Sequence, residues 1–205
     1  MTEVVSESEQ ILPGSIVTFL FTDIEDSSRL WEQYPAAMSD AIGRHNVLAD
    51  AVISRHGGLL IKKRGEGDSL FAIFSRATGA VTAAAALQLV FHTEPWPQFL
   101  TLRVRMALHT GEADVRDNDY FGAAVNRCAR LRAIAHGAQT LFSQATREQV
   151  CEALPERCTL SDLGMHRLKD LQRPEQVFQL CHPDLPHEFP HFVPSTCSRT
   201  TCLCS

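Results

Sequence analysis

The chain has 205 residues, 44% of them hydrophobic, 21% charged and 7% aromatic. That is enough apolar material for one sizeable core, which excludes a disordered or collagen-like chain. A formal charge of −5 gives no basic field for gripping a polyanion, and no stretch approaches the roughly 20 apolar residues of a membrane span. The acidic start MTEVVSESEQ lacks the cationic opening of a signal peptide, so a cytoplasmic protein is expected, acting without nucleic acid or membrane.

Residues 1–14 read as a polar leader. Ser15 to Phe21 (SIVTFLF) is a β-branched and aromatic run ending at Thr22-Asp23, the pattern of a buried central strand. Asp26 or Ser27 is placed to cap a helix through Trp31, and Ala37 to His56 has helical periodicity ended by Gly57-Gly58. Leu59 to Lys63 and Ser69 to Phe74 form a hairpin around Gly65-Glu66-Gly67-Asp68. A helix from Arg76 to His92 follows, then a half-buried strand over Leu100 to His109 with a polar exit through Asp119.

Phe121 to His136 is again helical, with Arg127 and Arg132 reading as solvated. Gln139 to Phe142 is a short strand, Ser143 opens a helix, and Thr159 to Leu171 with Glu175 to Leu180 closes as a hairpin. From residue 182 to 205, four prolines without periodicity read as a linker or tail, placing the folded domain at 15–181. The order β-α-α-β-β-α-β-α-β-α-β-β implies an α/β (α+β) domain with a ferredoxin-like mixed sheet flanked by helices.

Seven cysteines contain no C-x-x-C, which argues against a disulfide framework or zinc site and for reduced thiols. No Walker A loop, dinucleotide fingerprint, H-E-x-x-H or nucleophile elbow is present. Asp23 follows a buried strand and Asp68 sits in a glycine-flanked turn. If their strands are neighbours, the two carboxylates converge as hard oxygen ligands suited to Mg²⁺. Spacing alone leaves open a helix cap for Asp23 and a plain turn acid for Asp68. Asn126 and Arg130, at i and i+4, share a helix face that suits either a phosphorylated ligand or solvent.

Taken in order, VTFLFTDIEDSS (17–28), HGGLLIKKRGEGDSLFAIF (56–74), LRVRMALHTGEA (102–113) and DYFGAAVNRCARL (119–131) resemble the landmarks of the class III nucleotidyl cyclase catalytic domain, in its bacterial adenylate cyclase branch. The resemblance spans about 15–180. It implies conversion of ATP to cyclic AMP and pyrophosphate in a head-to-tail homodimer whose sites are shared between protomers. Asp23 and Asp68 match the family's metal-binding aspartates, with the Ile24 carbonyl a further ligand for two Mg²⁺ or Mn²⁺ ions per active site. Asn126 and Arg130, from the other protomer, match the residues that orient the ribose and stabilise the transition state, and Asp119 matches the adenine-reading acid.

Four positions before Asp68, where the family carries its adenine-reading lysine, stands Arg64. Its planar fork differs from an ammonium. This motivates an alternative: a weakly active or inactive cyclase-like regulatory, nucleotide-binding module, or a guanylate cyclase. Lys169, in HRLKDL, is a further triphosphate-contact candidate. HPDLPHEFP resembles the linker after this domain in large bacterial transcriptional regulators with an ATPase and a helix-turn-helix domain, so a truncated relative of such a regulator is expected.

Overall fold

The computed structural model describes residues 16–64, 68–112, 114–116 and 119–190, with the side chains of 62–64, 116 and 119 outside the description. β1 (Ile16–Ile24) has every residue after its first buried, as a continuous apolar run requires. It lies between β3 (Ser69–Phe74) and β4 (Val104–Glu112), antiparallel to both. With β2 (Gly58–Arg64), β7 (Thr140–Ser143), β8 (Thr159–His166) and β9 (Glu175–Cys181) these form a seven-stranded sheet in the order β2-β3-β1-β4-β7-β9-β8. The β4–β7 pair is parallel and the others are antiparallel, giving the mixed sheet expected from the element order.

Side-chain alternation divides β1 between two cores. Leu20 and Ile24 face one that includes α2 (Pro35–Arg55) and α3 (Ala77–Thr93). Val17, Phe19 and Phe21 face the other, built with α4 (Ala123–Ile134). The short helices α1 (Ser27–Gln33) and α5 (Gln144–Val150) complete the set. Ser143 caps α5, its Oγ accepting from the Thr146 backbone N–H at 3.3 Å. Asp26 takes the cap position of α1 without a side-chain cap bond; its backbone is left-handed, φ 56°, and its carboxylate pairs with Arg29 at 3.1 Å.

Several boundaries differ from the sequence reading, among them those around β4 and α4. β4 starts at Val104, because Leu100 and Leu102 are buried in irregular chain ahead of it. It runs on through Glu112, and the polar exit contains a small hairpin of β5 (Asp114–Arg116) and β6 (Asp119–Phe121). Phe121 therefore belongs to a strand, and α4 starts after Gly122, whose φ of 113° and close approach to the Asp114 carboxylate (3.0 Å from an added Cβ) suit only glycine.

Residues 182–190 carry no regular element but lie against the sheet end. Gln179 Nε2 donates to the His187 carbonyl at 2.9 Å, Phe189 stacks on His136, and Arg157 forms a bidentate pair with Asp184. Residues 191–205, including Cys197, Cys202 and Cys204, lie outside the description, as do 1–15.

Candidate active site

The row Val17, Phe19, Phe21 on the α4 side of β1 ends in Asp23. Phe21 stacks on Phe71 at 4.5 Å, so the carboxylate emerges at the rim of an aromatic floor, its side chain 12% exposed. Register sets Ser69 opposite Asp23 on β3 and Arg105 opposite it on β4. Directly paired residues share a face, so both side chains reach the acid. Ser69 Oγ donates to Asp23 Oδ1 at 2.6 Å and Arg105 Nε to Oδ2 at 2.7 Å, with a second Arg105 nitrogen on the same Oδ2.

A second guanidinium arrives from above. Arg132 lies near the end of α4, one turn beyond buried Cys128, and its Nη1 donates to Ser69 Oγ at 3.3 Å while standing 3.7 Å from Asp23 Oδ1. Its Nε is buried without a partner. Arg127, the other arginine expected in solvent, is half-buried and pairs with the buried Glu175 of β9 at 2.7 Å. Both expectations of solvation are corrected. Each side chain slants off the helix toward an acid supplied by a distant strand, and α4 lies flat enough on the sheet for both to reach.

Asp68 immediately precedes β3, and its carbonyl accepts from the Ile24 N–H at 3.2 Å. The strands carrying Asp23 and Asp68 are thus neighbours, and the Ile24 backbone is tied to the Asp68 backbone. Among the described residues, no group of three or more His, Cys, Asp or Glu side chains is placed to hold a metal ion. The available oxygen donors are two carboxylates and the Ile24 carbonyl. That set fits a hard divalent cation that keeps water and substrate phosphates in its shell.

Asn126 is exposed on α4, and Arg130 pairs with Asp170 at 2.7 Å across the surface, beside exposed Lys169. Neither joins the Asp23 cluster among the described residues. Arg64 ends β2 opposite Ser69, and Asp119 begins β6 opposite Arg116; their side chains lie outside the description.

Arg105 was not singled out from the sequence, although alternation with Val104 and Met106 set it on one face of a strand beside β1. The signal for Arg132 was its spacing of four from Cys128, which turns it toward the sheet. Cys128 is no nucleophile: it contacts the Phe19 and Ala107 carbonyls, and burial pushes its thiol up to about 12. A groove of about 710 Å³ beside Trp96, Arg103, His136 and Phe189 includes none of the candidate residues. Of its carboxylates, Glu25 accepts from the Gly137 N–H at 2.8 Å, a structural bond.

The adenylate and guanylate cyclase catalytic-domain model matches residues 10–180. An uncharacterised protein of Mycobacterium tuberculosis is 42% identical over 191 residues, covering 93% of this chain, and the chain spans 65% of that relative's length. A solved adenylate cyclase of Trypanosoma brucei in its monomeric state superposes with a TM-score of 0.75 at 27% identity, covering 85% of this chain and 93% of that one. An adenylate/guanylate cyclase/hydrolase structure from Silicibacter pomeroyi gives 0.69 at 28% identity, covering 84% and 99%. With four motifs in order and a mixed sheet that brings the strands of Asp23 and Asp68 side by side, the chain belongs to the class III adenylate and guanylate cyclase catalytic-domain family.

Proposed function

We propose that this chain is an adenylate cyclase domain that converts ATP to 3′,5′-cyclic AMP and pyrophosphate as a head-to-tail homodimer in the cytoplasm. The observation that carries this reading is the acid-bearing corner of the sheet, Asp23 against Ser69 and Arg105 with Asp68 on the next strand. The adenylate cyclase named among its structural neighbours supports the choice of chemistry.

Asp23, Asp68 and the Ile24 carbonyl would hold two Mg²⁺ or Mn²⁺ ions. Such ions, when bound, polarise the ribose 3′-hydroxyl and neutralise the triphosphate. Arg105 brings a guanidinium to the same corner, where a triphosphate presents the anionic oxygens that such a fork binds. Asn126 and Arg130 of the partner protomer orient the ribose and meet charge developing on the α-phosphate as the bond to 3′-oxygen forms and the bond to pyrophosphate breaks. Asp119 accepts from the adenine amino group and Arg64 donates to the ring. Arg130 is tied to Asp170 in the isolated chain, so entering a partner's site requires exchanging that exposed pair, a small cost.

One observation favours a second reading. Both Asp23 oxygens already accept protein donors, and Arg64 replaces the family's lysine, which together suit a nucleotide-binding regulatory module with little turnover. The deciding experiment is product formation with Mn²⁺ and either ATP or GTP over a range of protein concentrations, beside Asp23→Asn. Cyclic AMP formation that rises faster than linearly with protein and vanishes in Asp23→Asn supports the cyclase. Product from GTP alone overturns the base assignment, and a folded protein inert with both nucleotides favours the regulatory module.

A further inference from the structure

Asp23 is surrounded by more positive charge than it can neutralise. Arg105 takes Oδ2, Arg132 stands 3.7 Å from Oδ1 and reaches Ser69 Oγ, and Ser69 in turn donates to Oδ1. One carboxylate thus faces two guanidinium groups. Arg105 is the register partner of Asp23, and its Nε makes a short charge-assisted hydrogen bond to Oδ2 at 2.7 Å. Arg132 does not. Its Nε is buried without a partner, and its contact with the acid is longer than a hydrogen bond. A buried donor left unpaired is costly, so charge attraction to Asp23 is what holds the guanidinium there.

We propose that Arg132 is a resident counter-cation of Asp23 that competes with a divalent metal for this carboxylate and sets how tightly the site takes one. The inference rests on the reading of Asp23 as a metal ligand. A dication arriving at Asp23 meets the Arg132 charge a few ångströms away, in a corner where Arg132 is 23% and Asp23 12% exposed and solvent screens little. The charges facing this carboxylate are Arg105 from β4 and Arg132 from α4, and Asp68 immediately precedes β3 with its backbone carbonyl on the Ile24 N–H. Arg105 reaches Oδ2 from the neighbouring strand, whereas Arg132 reaches toward Oδ1 from the helix. Loading therefore requires Arg132 to turn aside, and its only hydrogen bond among the described residues is the one to Ser69. Arg132 is a positioning residue in this scheme: it acts on the metal's affinity through Asp23.

The test is binding of Mn²⁺ to the full chain without nucleotide, read from the loss of the free-ion electron paramagnetic resonance signal. Arg132→Gln and Arg132→Met remove the charge at similar length, and Arg132→Lys keeps it. Both neutral variants are expected to bind Mn²⁺ at least about tenfold more tightly than the parent, with Arg132→Lys close to the parent. Adding Asp23→Asn to either neutral variant is expected to abolish the gain. Thermal melting reports whether each variant is folded, and a Mn²⁺-dependent rise in melting temperature in the neutral variants gives a second readout. Equal affinity in the parent and the neutral variants, lost in Asp23→Asn, overturns the role of Arg132 and leaves the metal reading standing. Affinity that ignores Asp23→Asn in every background, or no Mn²⁺ binding by folded neutral variants, overturns the metal reading and the inference with it.

Discussion

His109 shows how one buried residue makes the fold sensitive to acid. It is 5% exposed, its Nδ1 lies 2.7 Å from Ser143 Oγ, and burial, aided by the Arg127 charge, lowers its ring to about 4 from the usual 6.5. The folded state therefore binds fewer protons here than the unfolded chain between those values. Stability is present above about pH 6.5 and is lost as pH falls toward 4, by up to about 3 kcal/mol at roughly 1.4 kcal/mol per unit of difference. Urea unfolding at pH 7 and pH 4.5 should show this loss, and His109→Gln should reduce it. Arg64 allows a second test at this scale. If its fork weakens base reading, Arg64→Lys should raise cyclic AMP formation from ATP several-fold without changing the melting temperature; in a regulatory module the same change leaves turnover absent.

At the scale of elements, the loop from α4 into β7 is tied to Glu25 by the Gly137 N–H and has no room for a side chain there. A Cβ on Gly137 would stand 2.5 Å from both Arg103 Cβ and Glu25 Oε2, in the place where the Gly137 N–H meets Glu25 Oε1. Gly137→Ala should cost about 1–3 kcal/mol. Gly43, exposed in the middle of α2 with nothing within 4 Å of an added Cβ, is its counterpart: Gly43→Ala should stabilise by about 0.5–1 kcal/mol. Chemical denaturation of the two variants beside the parent checks both signs.

The same elements show what could be read from one dimension. β1, β3, α2 and α3 were legible because each buries a run long enough for its periodicity to show. β5 and β6, of three residues each, carry no such run, and their polar residues read as loop. The strand end that carries Asp23 and the turn that carries Asp68 were legible, and the structure sets β1 beside the strand that follows Asp68. Arg105 and Arg132 were not, because what makes them part of the site is the acid across the sheet, and pairing across strands is set by register that no local pattern encodes. The docking of 182–190 was hidden for the same reason: its contacts are made by a backbone carbonyl and a ring against distant residues, while its prolines signal only the absence of a regular element.

At the scale of the molecule, that segment is a strap across the sheet end. Ending the chain after Cys181 removes the His187 carbonyl from the buried Gln179 amide and the Phe189 ring from His136. The exposed Arg157–Asp184 pair contributes little. The lost hydrogen bond and ring packing should cost about 1–2 kcal/mol and lower the melting temperature by a few degrees, measurable by calorimetry.

The helix α4 has a task at each end. Its earlier turns present Asn126 and Arg130 outward, and six residues on from Asn126, about 9 Å along the axis, Arg132 leans on the acid of its own chain. The rigid axis of such a helix fixes Arg132 relative to Asn126 and Arg130, so in the proposed dimer one α4 serves two clefts, the acid of its own chain and the chemistry of its neighbour's.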